Sequence, residues 1–278
     1  MAAQKNKKVD ALVEKITGLH AAIAKLPSLS PSPAVDALFT ELVTACVPPS
    51  PVDVTKLGPN AQEMREGLIR LCSEAEGKLE AHYSDMLAIF DNPLDHLGMF
   101  PYYSNYIKLS KLDSFVLAAR HLPDTMFDNY DLCGAANDRA SKLFRADTDV
   151  GARMSFHTAD VADLADELAT YDVVFLAALV GMAAEDKAKV IAHLGAHMAD
   201  GAALVVRSAH GARGFLYPIV DPEDIGRGGF EVLAVCHPDD DVVNSVIIAQ
   251  KSKDVHVSGL RSGRAGEEEE FAKAEVAF

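Results

Sequence analysis

The sequence predicts an α/β protein in which a helical bundle precedes a mostly parallel sheet flanked by helices. Three observations carry that prediction. Through the first hundred positions, apolar residues recur every three or four places, the stripe of a helix with one buried side. From about Asp128, short apolar runs alternate with helical stretches, the pattern of repeated strand–helix units. The last two runs are separated by little more than Asp239 and Asp240, which reads as a closing antiparallel hairpin.

Taken in order, Val9, Leu12, Ile16, Leu19 and Ile23 form the first helical stripe, which Pro27 ends. Ser32 before Pro33 starts the helix PAVDALFTELVTAC, and the PPSP at 48–51 closes it. The longest candidate runs from about Ala61 to Phe90, with Met64, Leu68, Leu71, Cys72, Ala75, Leu79 and Met86 on one face. Asn92-Pro93 stops it, and no repeat period is visible, so these helices form a bundle rather than a solenoid. Next, FDNYDL reads as a strand and AANDRASKLFRA as a helix; MSFHTADV is a second strand, and ADLADELA a short acidic helix. In YDVVFLAAL the apolar run is continuous, which predicts a strand buried on both faces. AAEDKAKVIAHLGAHMA is a helix, AALVVRS a fourth strand after the Asp200-Gly201 turn, and FEVLAVCHP with DVVNSVIIAQKS the hairpin. A terminal hairpin on such a sheet is the Rossmann-like pattern of S-adenosylmethionine-dependent transferases. Beyond Ser252 the chain is polar, with EEEE at 267–270, and is expected to be disordered.

One stretch fits this plan badly. KLSKLDSFVLAARHLPDT, residues 108–125, passes from a polar helical region into an apolar run without glycine, turn or strand signal. A nucleotide-binding sheet should open near here with a strand and a glycine-rich turn. Instead Tyr103, Tyr106, Leu109, Leu112, Val116 and Ala119 keep a three-to-four spacing, which predicts one fused helix ending near Pro123.

Charge and cysteine usage narrow the function classes. The 41 acidic residues outnumber the 26 basic ones, a net charge of −15 that disfavours nucleic acid and anionic membrane as partners. MAAQKNKKVD has no apolar core of the kind a secretory signal needs, and VVFLAALVGMAA is too short to span a bilayer. The expected location is the cytoplasm, with Cys46, Cys72, Cys133 and Cys236 as reduced, mostly buried thiols.

Open α/β sheets bind ligands outside the C-terminal ends of their strands. Asp131 ends the first recognisable strand, where a carboxylate could accept from ribose hydroxyls. Asp160 follows the second, where it could meet an adenine amino group, and around Ala177, after the third, backbone groups could line the ligand. Either aspartate reads equally as a turn residue or a helix N-cap. His193 and His197 have metal-ligand spacing but no third ligand nearby, so they read as helix-surface histidines. Asp239, Asp240 and Asp241 lack the glycine and glutamate of an EF-hand and read as a turn. Glu74, Glu76 and Glu80 read as solvated helix residues, with Lys78 or Arg70 as partners, and Tyr102, Tyr103 and Tyr106 as packing. These residue types leave the chemistry open.

NPLDHLGMFPYYSNYIKLSKL, FDNYDLCGAANDRASKLF, MSFHTADVADLADELATYDVVFLAALVGM and VVRSAHGARGFLYPIVDPEDI are more specific. Together they closely resemble plant nicotianamine synthase, the grass enzymes most of all, from about residue 8 to residue 256. The resemblance implies a helical domain at 1–112, a Rossmann-like transferase domain at 113–252 and an acidic tail at 253–278. It implies that three S-adenosylmethionine molecules, as substrate rather than prosthetic group, give nicotianamine, three methylthioadenosines and three protons. Nicotianamine chelates iron, zinc and copper and serves grasses as a phytosiderophore precursor; the enzyme itself needs no metal. By motif match, Glu80 of EGKLEAH would bind or deprotonate the attacking amine, and Tyr106 of YYSNY would position the substrate's amino-acid end. Asp131 and Asp160 fall on ribose and adenine positions, and Arg207 and Asn244 lie at later strands near the pocket.

The resemblance also locates a departure. Family members continue from SKLE through a helix, a strand and a GSGPLPFSS-like turn before SFVLAARHLP, whereas here Leu112 and Asp113 run straight into that motif. A segment of roughly 30 residues, about one βα unit, is therefore missing, leaving the first βα unit incomplete. The alternative to an active enzyme is thus an impaired relative that associates with active paralogues. Without the glycines that let backbone approach a ligand closely, S-adenosylmethionine binding is expected to be weak or absent. Calorimetry checks this: family-like affinity would overturn it.

Overall fold

The computed structural model describes residues 2–99, 121–145, 147–238 and 242–253. Three helices lead: α1 (Ala2–Ile23), α2 (Pro33–Cys46) and α3 (Pro59–Leu87). Ser32 caps α2, its hydroxyl accepting from the Val35 amide at 3.3 Å, and Pro33 supplies a fixed φ at the first turn. Ile16, Ile23, Leu42 and Leu68 are fully buried where these helices meet.

The sheet region follows as β1 (Phe127–Asp131), α4 (Gly134–Phe144), β2 (Met154–Thr158), β3 (Val173–Leu176), α5 (Ala184–His197), β4 (Ala203–Ser208), α6 (Pro222–Arg227), β5 (Phe230–Cys236) and β6 (Ser245–Lys251). All six predicted strands are present. The acidic helix expected at ADLADELA is instead two single 3-10 turns, Val161–Asp163 and Leu168–Thr170. Only Leu164 and Leu168 of that stretch reach the core, too few apolar positions to hold an α-helix against it.

The strands do not form one sheet. Among the described residues, β1 and β2 pair in parallel as a two-stranded piece, and β3-β4-β6-β5 form a separate four-stranded one. β3 runs parallel to β4, and β6 runs antiparallel to both β4 and β5. A doubly wound sheet has strand order 3-2-1-4-5. Deleting strand 1 from that order leaves 3-2 on one side and 4-5 on the other, which is the split observed. The expectation that β3 is buried on both faces is therefore wrong. Val173 is 45% exposed and Phe175 41%, and only Leu176 of the strand is buried. The apolar run is that of an interior strand, but among the described residues β3 pairs on one edge alone, with β4.

Two cores hold these parts. One joins Leu164, Leu168, Ile191, Leu194, Leu204, Val206, Ile225 and Ile247, under α5 and α6, with Tyr130 and Val174 packed against it. It therefore touches both pieces of sheet. At Gly195 a Cβ would stand 1.7 Å from the Gly228 carbonyl oxygen, so only glycine lets α5 lie this close to the end of α6. The other core gathers Ile16, Ile23, Leu42 and Leu68 of the bundle around Ala212, Phe215 and Leu216, which follow β4, and Val243, which precedes β6. Arg65 of α3 adds a 2.6 Å hydrogen bond from Nε to the Gly214 carbonyl. No described helix is long and apolar enough to cross a membrane. The cysteines are free, but only Cys46 is fully buried, and Cys133, at the N-cap of α4, is exposed. The fused helix near Leu112, the turn at Asp239–Asp241 and the acidic tail lie outside the described residues.

Phe215 is fully buried between bundle and sheet, so Phe215→Ala is expected to lower stability by about 3–5 kcal/mol. Urea unfolding followed by circular dichroism should show helix and sheet signals falling together at a reduced midpoint; loss of one signal alone would show the two cores to be independent.

Candidate active site

The C-terminal ends of β4 and β6's approach face α3, and here the polar groups gather. Tyr217 follows β4, and its hydroxyl donates to the Glu76 carboxylate, lying 3.1 Å from each oxygen. Burial first, then the Glu76 charge, holds the Tyr217 hydroxyl well above its ordinary pKa, so it remains a donor. Arg207, near the end of β4, acts on Tyr217 in the opposite sense, which puts its guanidinium in the same cluster. Glu80 stands one helical turn beyond Glu76 on α3, on an exposed position.

Two of the predicted residues here have unspent hydrogen-bonding capacity. Arg207 Nε and Asn244 Oδ1 are both buried with no hydrogen-bond partner among the described residues. Ser208 pairs with Ser245 across the β4–β6 ladder, so Arg207 and Asn244 flank that rung and are near neighbours. Leaving a buried donor and acceptor unmatched costs about 1–3 kcal/mol each, which is why native structures usually fill such positions. A donor beside an acceptor is also what the carboxylate and ammonium of an amino acid require. Tyr106, predicted for that same end of a substrate, lies outside the described residues.

The other predicted residues sit at three further strand ends. Asp131 is the last residue of β1, and its Oδ1 accepts from the Cys133 amide at 2.6 Å. Asp160 lies two residues past β2 and caps the next turn, accepting from the Ala162 amide at 2.9 Å. Each thus serves as a turn residue while its remaining carboxylate oxygen stays open to solvent. Asn137 of α4 ties the β1 and β2 ends together, donating to the His157 carbonyl at 2.8 Å and the Thr158 hydroxyl at 3.0 Å. Ala177 is exposed beyond β3, on the other piece of sheet. Between these two pieces the split of the sheet intervenes.

Lys187 was not legible as a site residue, since it falls within an ordinary helical pattern. Only 3% exposed, it donates from Nζ to the Ala177 and Ala178 carbonyls, both at 3.1 Å, and so fixes the bend after β3. Burial depresses its pKa from 10.5 to about 8. Gly181, at φ +64°, completes the bend; a Cβ there would meet the Lys187 backbone at 2.8 Å.

Two histidines also escaped the sequence reading. His210 and His237 stack at 4.0 Å beside a cavity of about 280 Å³ lined with Cys46, Pro49 and Arg213. His237 Nδ1 lies 2.9 Å from the Ser245 hydroxyl, and burial followed by the His210 charge lowers its pKa. None of the predicted site residues lines this cavity. The His193 and His197 rings lie 4.5 Å apart, tilted by 45°, but His193 Nε2 already meets the Leu164 carbonyl at 2.6 Å, an ordinary structural contact. The expected partner of Glu74 is confirmed as Lys78, at 2.6 Å.

The parallel pairs β1–β2 and β3–β4, the antiparallel β6 and the alternating helices define an S-adenosylmethionine-dependent transferase type of α/β fold carrying an N-terminal helical bundle. Comparison with known proteins agrees. A family model described as nicotianamine synthase protein matches residues 4–114 and 111–256. Probable nicotianamine synthase 2 of Hordeum vulgare is 85% identical over 292 residues, with 95% of this chain and 87% of the relative covered. Nicotianamine synthase 1 of Oryza sativa subsp. japonica is 72% identical over 274 residues, covering 88% and 82% respectively. The chain belongs to the nicotianamine synthase family. Among solved structures, MtNAS in complex with MTA and tNA superposes with a TM-score of 0.71 at 18% identity, covering 87% of this chain and 97% of that one. A glutamate-to-glutamine variant of MtNAS in complex with S-adenosylmethionine gives 0.70 at 18% identity, with 87% and 98% covered. The family match is made in two pieces meeting at residues 111–114. The barley alignment spans more positions than this chain has residues to fill, so the relative carries a segment that is missing here.

The Lys187 proton supplies a check on the bend. The folded protein releases it near pH 8 and the unfolded chain near 10.5, so the unfolded state binds more protons in between. Stability therefore gains from this group as pH rises through that window, by about 3 kcal/mol at most. Denaturation of wild type and Lys187→Met between pH 7 and 10 should show the difference moving towards wild type; a pH-independent difference would mean that the ammonium is solvated.

Proposed function

We propose that this chain carries out aminocarboxypropyl transfer from S-adenosylmethionine, building nicotianamine and releasing methylthioadenosine, on an incomplete cofactor-type cradle. The observation that carries the reading is the buried, unpartnered pair Arg207 Nε and Asn244 Oδ1, with Arg207 acting on the Tyr217 that bonds Glu76, in a chain 85% identical to a barley relative of that name. Arg207 would take the carboxylate of the transferred arm and Asn244 its ammonium. Tyr106 would add to the hold on that end, and Asp131, Asp160 and the backbone at Ala177 would take ribose and adenine.

The chemistry asks little covalent help of the protein. The sulfonium already makes the γ-carbon electrophilic; an amine attacks it, a carbon–nitrogen bond forms, the carbon–sulfur bond breaks, and methylthioadenosine departs with the electron pair. The attacking nitrogen must first shed a proton, and it carries another to lose after transfer. Glu80, exposed at the mouth on α3, is the base assigned to this, and Glu76, held by Tyr217, keeps a second carboxylate beside it. Most of the acceleration then comes from alignment of amine, carbon and sulfur. No metal takes part; iron, zinc and copper are what the product chelates.

The split sheet favours a second reading, in which the chain is an impaired relative that works by associating with complete paralogues, in the cytoplasm. In either case residues 1–112 act as the helical domain and 113–252 as the transferase domain. Incubation of the purified chain with S-adenosylmethionine, followed by mass spectrometry, separates the readings. Methylthioadenosine and nicotianamine are expected in a fixed ratio of three to one, with a KM above that of the barley relative. Glu80→Gln should lower kcat by about 10²–10⁴ while leaving binding in place. Arg207→Ala should raise KM roughly tenfold, the worth of one hydrogen bond to a charged group. Absence of both products at saturating substrate would sink the enzymatic reading.

A further inference from the structure

The sheet is divided where one strand's width of pairing has been removed, and both rims of the division retain their backbone groups. Successive residues of a parallel strand point their N–H and C=O to opposite sides. On β3, the Asp172 carbonyl accepts from the Ala203 amide at 2.9 Å, so Asp172, Val174 and Leu176 face β4. Val173 and Phe175 therefore face the division. On β1, the Asp131 carbonyl accepts from the Ala159 amide at 3.2 Å, so Phe127, Asn129 and Asp131 face β2. Asp128 and Tyr130 are left facing the division from the other side. The backbone groups of these four residues make no hydrogen bond among the described residues.

The two rims are held at matching height. Tyr171, two residues before β3, donates from its hydroxyl to Asp128 Oδ2 at 2.8 Å and lies 2.8 Å from the Tyr130 hydroxyl. Ser155 of β2 bonds the other Asp128 oxygen, and Tyr130 stacks on His157 at 4.9 Å. The shared core under Tyr130 and Val174 keeps the rims aligned from below. One tyrosine and one aspartate side chain, end to end, can bridge the roughly 10 Å between strands that flank a single absent one. Each rim strand runs parallel to its own partner, β1 to β2 and β3 to β4, so a strand entering the division parallel to them would extend both ladders in kind.

From these rims we infer that β1 and β3 form a receptor slot for a single parallel β-strand supplied in trans, with the character of the segment that complete relatives carry between the positions of Leu112 and Asp113. An edge that keeps such pairing capacity is a template for strand addition. The occupant is an apolar, β-branched-rich run, because a strand placed there is paired on both edges and covered on both faces. The exposed Val173 and Phe175 side chains provide an apolar rim for it. The alignment says where the occupant comes from: the family match breaks at residues 111–114, so related chains contain a segment built for this place. The inference rests on the sheet order and the family alignment, and holds whether or not the chain turns over S-adenosylmethionine.

The test uses a fluorescein-labelled synthetic peptide with the residues that the 85%-identical barley relative has between the positions aligned with Leu112 and Asp113. Titration of the full chain should raise the peptide's anisotropy with saturation in the micromolar range. Hydrogen exchange should slow at least tenfold at the Asp128, Tyr130, Val173 and Phe175 amides and remain unchanged at α2. A peptide N-methylated at alternate residues keeps the same side chains but cannot complete one ladder, and should bind at least tenfold more weakly. Three results would each overturn the proposal: no saturable binding, equal binding of the N-methylated peptide, or protection of the four amides by raising the protein concentration alone. The last would show a second copy of this chain as the occupant.

Discussion

A strand inside a doubly wound sheet spends its backbone hydrogen bonds on both neighbours, and no side chain can stand in for a neighbour that is absent. That constraint organises this structure. Among the described residues six strands pair as β1-β2 and β3-β4-β6-β5, and no ladder joins β1 to β3. Pairing β1 directly to β3 would require the α4–β2 layer to slide by a strand's width across a core that also packs Val174, Ile191 and Leu204. Close-packed interiors resist such sliding. The fold tolerates a gap more readily than a general rearrangement.

The helical bundle meets the sheet at the intact side. Its core is continuous with Phe215, Leu216 and Val243, all attached to β4 and β6, and none of those strands borders the division. The groups nearest to amine chemistry, Glu76, Tyr217, Arg207 and Asn244, share that same seam. The strand-end residues Asp131, Asp160 and Ala177 are instead distributed on either side of the split, the two aspartates on one piece and Ala177 on the other. The division thus lies among the strand ends that carry Asp131, Asp160 and Ala177, and away from the seam between bundle and sheet.

Most of the fold was legible because its signals are local. Apolar spacing located the helices, short apolar runs located all six strands, and Ser32-Pro33 marked a helix start. The exposure of Val173 and Phe175 was not legible, since an apolar run records the surroundings for which a strand is suited and says nothing of whether they are present. The same limit hid the polar cluster. Tyr171 meets Asp128 across 43 positions, and Tyr217 meets Glu76 across 141, contacts that no spacing rule encodes. Lys187 was masked by its helix, where a lysine normally faces water. Asp131 and Asp160 were found at strand ends by topology alone, and each accepts a backbone amide there as a turn residue, the second of the two roles their position allows.

The two-stranded piece has one more consequence, for the order in which the molecule comes apart. A pair of strands without a third is marginally stable in water, and β1–β2 leans on α4 and on the Tyr171 hydroxyl for support. The segment from Phe127 to Thr158 therefore forms a cooperative unit of low local stability beside a four-stranded unit sealed by Ile191, Leu204 and Ile247. Among the described residues the two halves are joined by the core under Tyr130 and Val174 and by the Tyr171–Asp128 bond rather than by a backbone ladder, so they are expected to open at different free energies.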